Sequence, residues 1–99
     1  MERKDWQWNE FQQVGTDYTT MTEVEAYDER MASFRNVDGE NRELVELLGL
    51  PKEAAMLEIG CVTGRFARFA AAQGYRVTAI DISAVMLEYV RAKAAKEGL

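Results

Sequence analysis

The chain of 99 residues contains no histidine and a single cysteine, Cys61. Without histidine it has no imidazole that could act as a general base or bind a metal, so we expect no metal site. One cysteine cannot form a disulfide within the chain, which makes a cytoplasmic location the default expectation. The sequence also lacks any apolar run close to the roughly 20 residues that span a bilayer. We therefore expect no membrane partner.

Basic residues are scarce in the front half of the chain. Residues 1–50 carry five Lys and Arg against twelve Asp and Glu, whereas residues 51–99 carry seven against five. The net charge of the whole chain is −5. Because phosphate contacts need clustered Lys or Arg, this distribution predicts no nucleic-acid partner. We interpret the acidic excess as the solvated faces of two helices.

The composition is that of an ordinary globular protein, with 47% hydrophobic and 29% charged residues. The length suits one small domain, which the sequence divides into three parts. Residues 1–20 are an aromatic-containing leader, residues 21–50 are N-terminal helices that form a cap or lid, and residues 51–99 combine strands with helices. The leader carries Trp6 and Trp8, which suggest a segment that packs against another surface.

The N-terminal part predicts two helices. Thr22 and Glu25 match a capping box at the start of the first helix. An apolar stripe at helical spacing follows, formed by Val24, Tyr27, Met31 and Phe34. Asp38 is the predicted N-cap of the second helix, and Gly49 is its predicted C-terminal stop.

From residue 54 onward the pattern is that of strands alternating with helices. Residues 55–60 are a short apolar run that predicts a buried strand, and residues 75–80 predict a second strand. The segment after Gly64 predicts a connecting helix, and Ser83 is the predicted N-cap of a last helix that runs to about Lys96. A strand, a crossover helix and a second strand make the two strands parallel.

The carboxyl ends of the two predicted strands carry the residues that point to a ligand. Gly60 and Gly64 follow the first strand and Asp81 follows the second. In open parallel sheets, ligands bind beyond the carboxyl ends of the strands. Glycines let the backbone turn sharply and approach a ligand closely, and the helix that follows directs free N–H groups at the same place.

The segment Leu57-Glu58-Ile59-Gly60-Cys61-Val62-Thr63-Gly64 resembles the first motif of the class I S-adenosylmethionine-dependent methyltransferases, and the segment from Asp81 to Leu87 is similar to the end of their second strand. The resemblance implies an α/β fold with a Rossmann-like three-layer parallel sheet. Residues 51–99 would then be a partial cofactor-binding domain that holds only the first βαβα unit, preceded by the two helices.

The resemblance also implies S-adenosyl-L-methionine as the cofactor and a set of residues that bind it. Asp81 would accept hydrogen bonds from the ribose hydroxyls, and Glu58 would order the loop or reach the cofactor's ammonium group. Tyr18 and Tyr27 would form a lid over the adenosine or belong to the core, and both interpretations stay open. The expected cofactor-binding residues are Glu58, Gly60, Cys61, Gly64, Asp81, Ile82, Tyr18 and Tyr27.

One position departs from the family pattern. Val62 stands where the family has its second glycine. A β-branched residue resists positive φ and adds bulk beside the ligand, at a cost of about 1–3 kcal/mol. The nicotinamide and flavin fingerprint fails at both Val62 and Arg65, and no Gly-Lys-Ser/Thr follows for a P-loop.

Other polar residues have plain interpretations. Cys61 lacks a histidine partner and is interpreted as structural rather than nucleophilic. Asp28 and Glu29 are expected on a solvated helix face. Arg65 and Arg68 are expected in solvent as well, although Arg65 could meet an anionic substrate or Glu58.

The resemblance implies an enzyme that transfers a methyl group to a small-molecule acceptor, with catalytic residues that this segment does not reveal. An inactive binding or interaction module derived from a methyltransferase is the alternative. The family's sheet has more strands than this chain contains. Because two bare strands leave open edges, we expect either a homodimer or completion by a C-terminal half that is missing here.

Overall fold

The computed structural model describes residues 4–6 and 18–99. In the described part, the elements follow the predicted order of two helices, a strand, a helix, a strand and a helix. The elements are α1 (Met21–Ala32), α2 (Val37–Leu48), β1 (Ala55–Ile59), α3 (Arg65–Ala72), β2 (Arg76–Ile80) and α4 (Ala84–Lys96).

The two strands form a parallel two-stranded sheet. Ala55 of β1 pairs with Arg76 of β2, and the register continues to the pair Ile59 and Ile80. Helix α3 connects the strands and packs against β2. The prediction of adjacent parallel strands joined by a helix over residues 65–72 is therefore confirmed. This arrangement is compatible with part of a Rossmann-like fold.

The prediction that the first strand is buried is wrong for one face of the sheet. Leu57 and Ile59 are 63% and 75% exposed, and Ile80 on the same face is 44% exposed. Met56 and Val77, which point to the opposite face, are half-buried. Apolar runs are typical of strands with helices on both faces. Here the described helices cover one face, so the apolar residues of the other face remain exposed.

Helix α1 begins one residue before the position predicted by the capping box. Its N-cap is Thr20, which has extended backbone angles and makes no side-chain cap hydrogen bond. Thr22 therefore lies inside the first turn, and the predicted capping box is wrong. Val24 is fully buried and α1 packs against α4. Phe34 lies beyond the end of the helix and is 68% exposed, so the apolar stripe ends before it.

Helix α2 is capped by Asn36 rather than by Asp38. The Asn36 side-chain oxygen accepts a hydrogen bond from the Gly39 N–H at 3.1 Å. Asp38 lies in the first turn, where a carboxylate is favoured by the helix dipole. Gly49 ends the helix with a left-handed φ of 58°, as predicted. The leucines of this helix, Leu44, Leu47 and Leu48, are exposed.

The remaining caps and contacts agree with the sequence pattern. Ser83 caps α4 by accepting a hydrogen bond from the Met86 N–H at 3.1 Å. Ala67 and Ala70 of α3 are buried, and the Tyr75 hydroxyl donates to the Leu50 carbonyl at 3.1 Å. That last bond holds the segment after α2 against the start of β2.

The surface against which the leader packs stays a prediction. Trp6 is 79% exposed, so its side chain does not pack against the rest of the described chain. Trp8 lies outside the described residues. Among the helices of the described ranges, none has the length and apolar character needed to cross a bilayer.

Candidate functional site

Two loops meet at the carboxyl ends of the strands. The first follows β1 and covers residues 60–64, which we call the glycine loop. The second follows β2 and covers residues 81–83. The N–H groups of Gly60 and Cys61 both donate to the Ile80 carbonyl, at 2.8 and 3.0 Å. The parallel register therefore brings the two loops side by side, as the sequence predicts.

The two glycines of the loop are needed for different reasons. Gly60 has a φ of 75°, and a Cβ there would meet nothing within 4 Å. Its requirement is thus conformational alone. Gly64 has a φ of 74°, and a Cβ there would lie 2.8 Å from the Val90 side chain of α4. Gly64 therefore sets both the entry into α3 and the close approach of the glycine loop to α4.

Val62 adopts the left-handed conformation that its glycine counterpart would adopt without cost. Its φ is 56°, a region that β-branched residues strongly avoid. The expected backbone strain is therefore present in the loop. The Val62 N–H donates to the Asp81 Oδ2 atom at 2.9 Å.

The Asp81 carboxylate ties the two loops together. While Oδ2 accepts from Val62, Oδ1 accepts from the Ser83 N–H at 2.8 Å. Both oxygens thus bind backbone donors of the chain itself, a structural role that the sequence analysis missed. A carboxylate has about four acceptor positions, so it retains capacity for further donors. Ribose binding by Asp81 stays a prediction.

Glu58 lies one residue before the end of β1, on the half-buried face of the sheet. Burial raises the pKa of its carboxyl to about 6. Burial disfavours the charged form because the surrounding protein solvates a carboxylate less well than water does. Glu58 is therefore the acidic group that would gain most from a cationic partner at this site.

A cavity of about 180 Å³ opens between α1, α2 and the glycine loop. Glu58 lines it together with Arg35 and Arg65. Asn41 also lines it and is 8% exposed, and within the described residues its Nδ2 atom has no hydrogen-bond partner. The remaining lining residues are Tyr27, Asp28, Met31, Val37, Gly60, Cys61, Val62, Thr63 and Phe66. The cavity thus brings two half-buried acids, Glu58 and Asp28, together with several hydrogen-bond donors.

The aromatic and apolar residues of the predicted set differ in their surroundings: Tyr18 and Tyr27 contact each other, whereas Ile82 is exposed. Tyr27 lines the cavity, and its ring contacts the Tyr18 ring edge-on with centroids 5.7 Å apart. Tyr18 is also bound through its carbonyl, which accepts from the Ser83 hydroxyl at 2.7 Å. Ile82 is fully exposed and lines no part of the cavity. Tyr18, Gly64 and Asp81 do not line it either, and Ile82 lies in the loop after β2, so its role in binding stays a prediction.

Cys61 is 4% exposed. Burial raises the pKa of its thiol, and the nearby Asp81 and Glu58 carboxylates act in the same direction. The neutral thiol is a poor nucleophile. The structural interpretation of this cysteine agrees with these surroundings.

The prediction of solvated charges is wrong for Asp28 and Arg68. The Thr63 hydroxyl, itself 1% exposed, donates to the Asp28 Oδ1 atom. Asp28 Oδ2 lies 3.8 Å from Arg68 Nη2, and Arg68 Nη1 donates to Glu97, the C-cap residue of α4. The Arg68 side chain is 12% exposed. A polar network therefore joins α1, the glycine loop, α3 and α4.

The other charges lie nearer to the surface. Arg65 pairs with Asp38 at 2.6 Å instead of with Glu58. Glu29 is exposed, as expected. The sequence carried a signal for the position of Asp28, which lies four residues after Val24 on the same helix face, but none for its pairing with Arg68.

The sequence model of the family described as "Methyltransferase domain" matches residues 56–99. These are the residues that form the sheet, both loops and the two helices behind them. The match covers 44 of the 99 residues, and this part of the chain is therefore similar to a methyltransferase domain. It contains both loops at the carboxyl ends of the strands.

A relative gives a second comparison. The malonyl-[acyl-carrier protein] O-methyltransferase of Pectobacterium atrosepticum is 40% identical over 65 residues. That match covers 66% of this chain and 24% of the relative, so the chain spans about a quarter of its relative's length. No solved structure matches the chain.

Proposed function

We propose that the chain is the cofactor-binding part of an S-adenosylmethionine-dependent methyltransferase that acts on a small-molecule acceptor. One observation carries the proposal. The glycine loop and Asp81 lie side by side at the carboxyl ends of two parallel strands, within the residues that match the methyltransferase domain. We also propose that these two strands are part of a Rossmann-like three-layer parallel sheet.

The donors and acceptors around the cavity fit an amino-acid group. Glu58 would accept from an ammonium group, and that contact would offset the burial that raises its pKa. The Asn41 Nδ2 atom, which has no partner within the described residues, lines the same cavity and would donate to a carboxylate. The guanidinium of Arg35 also lines the cavity, and although it pairs with Glu40 at 2.7 Å, it would add positive charge beside that carboxylate. An amino acid's charged end therefore meets groups of opposite polarity here.

Asp81 and Gly60 would serve the nucleoside end. Asp81 sits at the end of β2 with its two oxygens held by backbone N–H groups, so its orientation is fixed before a ligand arrives. Its remaining acceptor positions suit paired ribose hydroxyls. Gly60 has open space where a Cβ would stand, which permits close approach of a ligand.

When bound, S-adenosylmethionine supplies a methyl group on a positively charged sulfur. The residues of this chain bind and orient, since direct displacement needs positioning and exclusion of water more than acid–base groups. Tyr27 beside the cavity would help exclude water. We propose methyl transfer without carrying over the relative's malonyl acceptor, because the match covers only 24% of that enzyme.

A catalytically inactive binding module is the second candidate, favoured by the strained Val62 in the loop. Calorimetric titration tests both candidates. We expect S-adenosylhomocysteine to bind with one-to-one stoichiometry, and NADH, as the control ligand, not to bind. Binding of NADH in place of S-adenosylhomocysteine would overturn the proposal.

The variant Asp81→Ala sharpens that titration. We expect it to weaken binding of S-adenosylhomocysteine by about 1.5–3 kcal/mol, the scale of hydrogen bonds to a charged group. Glu88→Ala, at an exposed position of α4, is the matched control and should bind as the wild type does. Once binding by the wild type is established, binding of equal strength by both variants would refute the role of Asp81.

A further inference from the structure

The glycine loop is held from two sides. On one side of its strained residue, the Val62 N–H donates to Asp81, which belongs to the loop after β2. On the other side, the Thr63 hydroxyl donates to Asp28, which belongs to α1. A non-glycine residue at positive φ persists only where the surrounding structure fixes it. Two carboxylates from two different elements supply that constraint here.

We propose that Asp28 is a positioning residue, which holds the glycine loop in its cofactor-binding conformation through the buried Thr63 hydroxyl. This inference rests on the proposed function, since it assigns Asp28 to the same cofactor site. Helix α1 would then order the glycine loop of that site as well as cover it.

The surroundings of Asp28 fix its orientation. Its second oxygen, Oδ2, lies 3.8 Å from Arg68 Nη2, and Arg68 Nη2 also reaches the Thr63 carbonyl at 3.5 Å. Glu97 on α4 binds the other terminal nitrogen of Arg68. Because the Arg68 side chain is 12% exposed, these contacts form in a region where charges need partners. Asp28 therefore contacts both the side chain of Thr63 and the arginine that reaches its carbonyl.

The N-terminal segment is anchored at a second place. The Ser83 hydroxyl donates to the Tyr18 carbonyl at 2.7 Å, three residues before α1 begins. The segment from Tyr18 to Asp28 therefore contacts both loops at the carboxyl ends of the strands. One contact fixes the loop after β2, and the other fixes the glycine loop after β1.

The test combines binding with amide exchange. Calorimetry with S-adenosylhomocysteine is run on the wild type, Asp28→Ala, Thr63→Val and the double variant, at a temperature where circular dichroism shows each variant to be folded. Hydrogen exchange of the amides of residues 62–64 is followed in the same proteins without ligand. Glu29→Ala, the next residue on the exposed side of α1, is the matched control. Thr63→Ser, which keeps the hydroxyl, is the conservative variant.

We expect Asp28→Ala and Thr63→Val each to weaken binding about tenfold, which corresponds to about 1.4 kcal/mol. If Asp28 acts through Thr63, the affinity of the double variant should equal that of the single variant with the lower affinity. Thr63→Ser and Glu29→Ala should bind as the wild type does. The loop amides should exchange faster in Asp28→Ala than in Glu29→Ala.

Several results would overturn the inference. It fails if folded Asp28→Ala keeps wild-type affinity and loop exchange, or if the two single effects add in the double variant. If Asp28→Ala does not fold, Thr63→Val against Thr63→Ser decides, and equal affinity of those two refutes the role. A wild type that binds no S-adenosylhomocysteine overturns the proposed function instead, while loop exchange still decides whether Asp28 orders the loop.

Discussion

The two helices that precede the sheet have the same length but differ in how they attach to the rest of the molecule. Each contains 12 residues. Helix α1 buries Val24 completely and sends Asp28 into the polar network behind the glycine loop. Helix α2 has more leucines, yet those leucines are exposed, and its buried residue is Asn41. Attachment therefore depends on where a few side chains meet the site rather than on how apolar a helix is.

The largest expected effect is dimerisation of the chain through an exposed apolar surface. The uncovered face of the sheet carries Leu57, Ile59 and Ile80, and each strand has one unpaired edge within the described residues. We expect the 99-residue chain, studied alone, to be a dimer at micromolar concentration, which corresponds to about 8 kcal/mol of association free energy. Light scattering measures the mass.

Matched charge substitutions locate the surface that associates. Ile59→Lys should give a monomer because it places a charge on the uncovered sheet face. Leu47→Lys, on an α2 position that is 84% exposed, should leave the dimer intact. The opposite pattern would show that the leucines of α2 form the contact and that the two helices differ less than their exposure suggests.

The next effect tests the attachment of α1 directly. Val24→Ala should lower the free energy of unfolding by about 2–3 kcal/mol, because it removes buried methyl groups and leaves a cavity. Leu47→Ala on α2 should change it by less than about 0.5 kcal/mol, since that side chain is already in water. Urea denaturation followed by circular dichroism measures both. Equal losses would remove the contrast between the helices.

A smaller gain in stability is expected from relieving backbone strain at two residues, one in the loop that α1 contacts and one in the turn that follows α2. Val62 and Glu53 are the non-glycine residues with positive φ among those described, at 56° and 67°. Glycine at either position should raise the free energy of unfolding by about 1 kcal/mol by removing backbone strain. Val62→Gly should also tighten binding of S-adenosylhomocysteine, whereas Glu53→Gly should not. Unchanged affinity in Val62→Gly would mean that the valine does not crowd the cofactor.

The smallest effect is a pH dependence at the cavity between the two helices. The pKa of Glu58 is raised to about 6 in the folded protein, so the folded state holds its proton more tightly than the unfolded state does. The stability that this provides is present below about pH 4.5 and is lost as pH rises to about 6, by about 1 kcal/mol after allowance for solvent screening.

Glu58→Gln should remove that decline when unfolding is measured across the same pH range. Glu46→Gln, on the exposed surface of α2, should keep the decline and is the matched control. Bound S-adenosylhomocysteine, which carries an ammonium group, should reduce the decline in the wild type. A decline that survives Glu58→Gln would assign it to another group.

Much of the fold follows from local patterns in the sequence. The order of elements, the parallel strands and the caps at Gly49 and Ser83 could be predicted, because each depends on residues close together in the chain. The start of α1 and the cap of α2 could not be placed correctly. Neighbouring polar residues compete for a cap, and the backbone angles at Thr20 and Asn36 decide between them.

The candidate site, too, could be predicted from the sequence only in part. The placement of Gly60 and Asp81 follows from the motif and the strand order, so the sequence predicted that they meet. The burial of Asp28 and Arg68 depends on contacts between residues 40 positions apart, and charged residues on helices are usually exposed. The burial of the first strand was predicted wrongly for one face, because an apolar run does not tell whether one or two faces are covered.

Cys61 is the chain's one thiol, and it is the second residue of the glycine loop, with 4% of its surface exposed. Its raised pKa and its burial both slow attack on alkylating reagents, so the folded protein should resist a maleimide or disulfide reagent. Each modification event then records an opening of the loop. The rate of labelling, measured with and without ligand, therefore reports how often the loop opens. No cysteine needs to be introduced for this measurement.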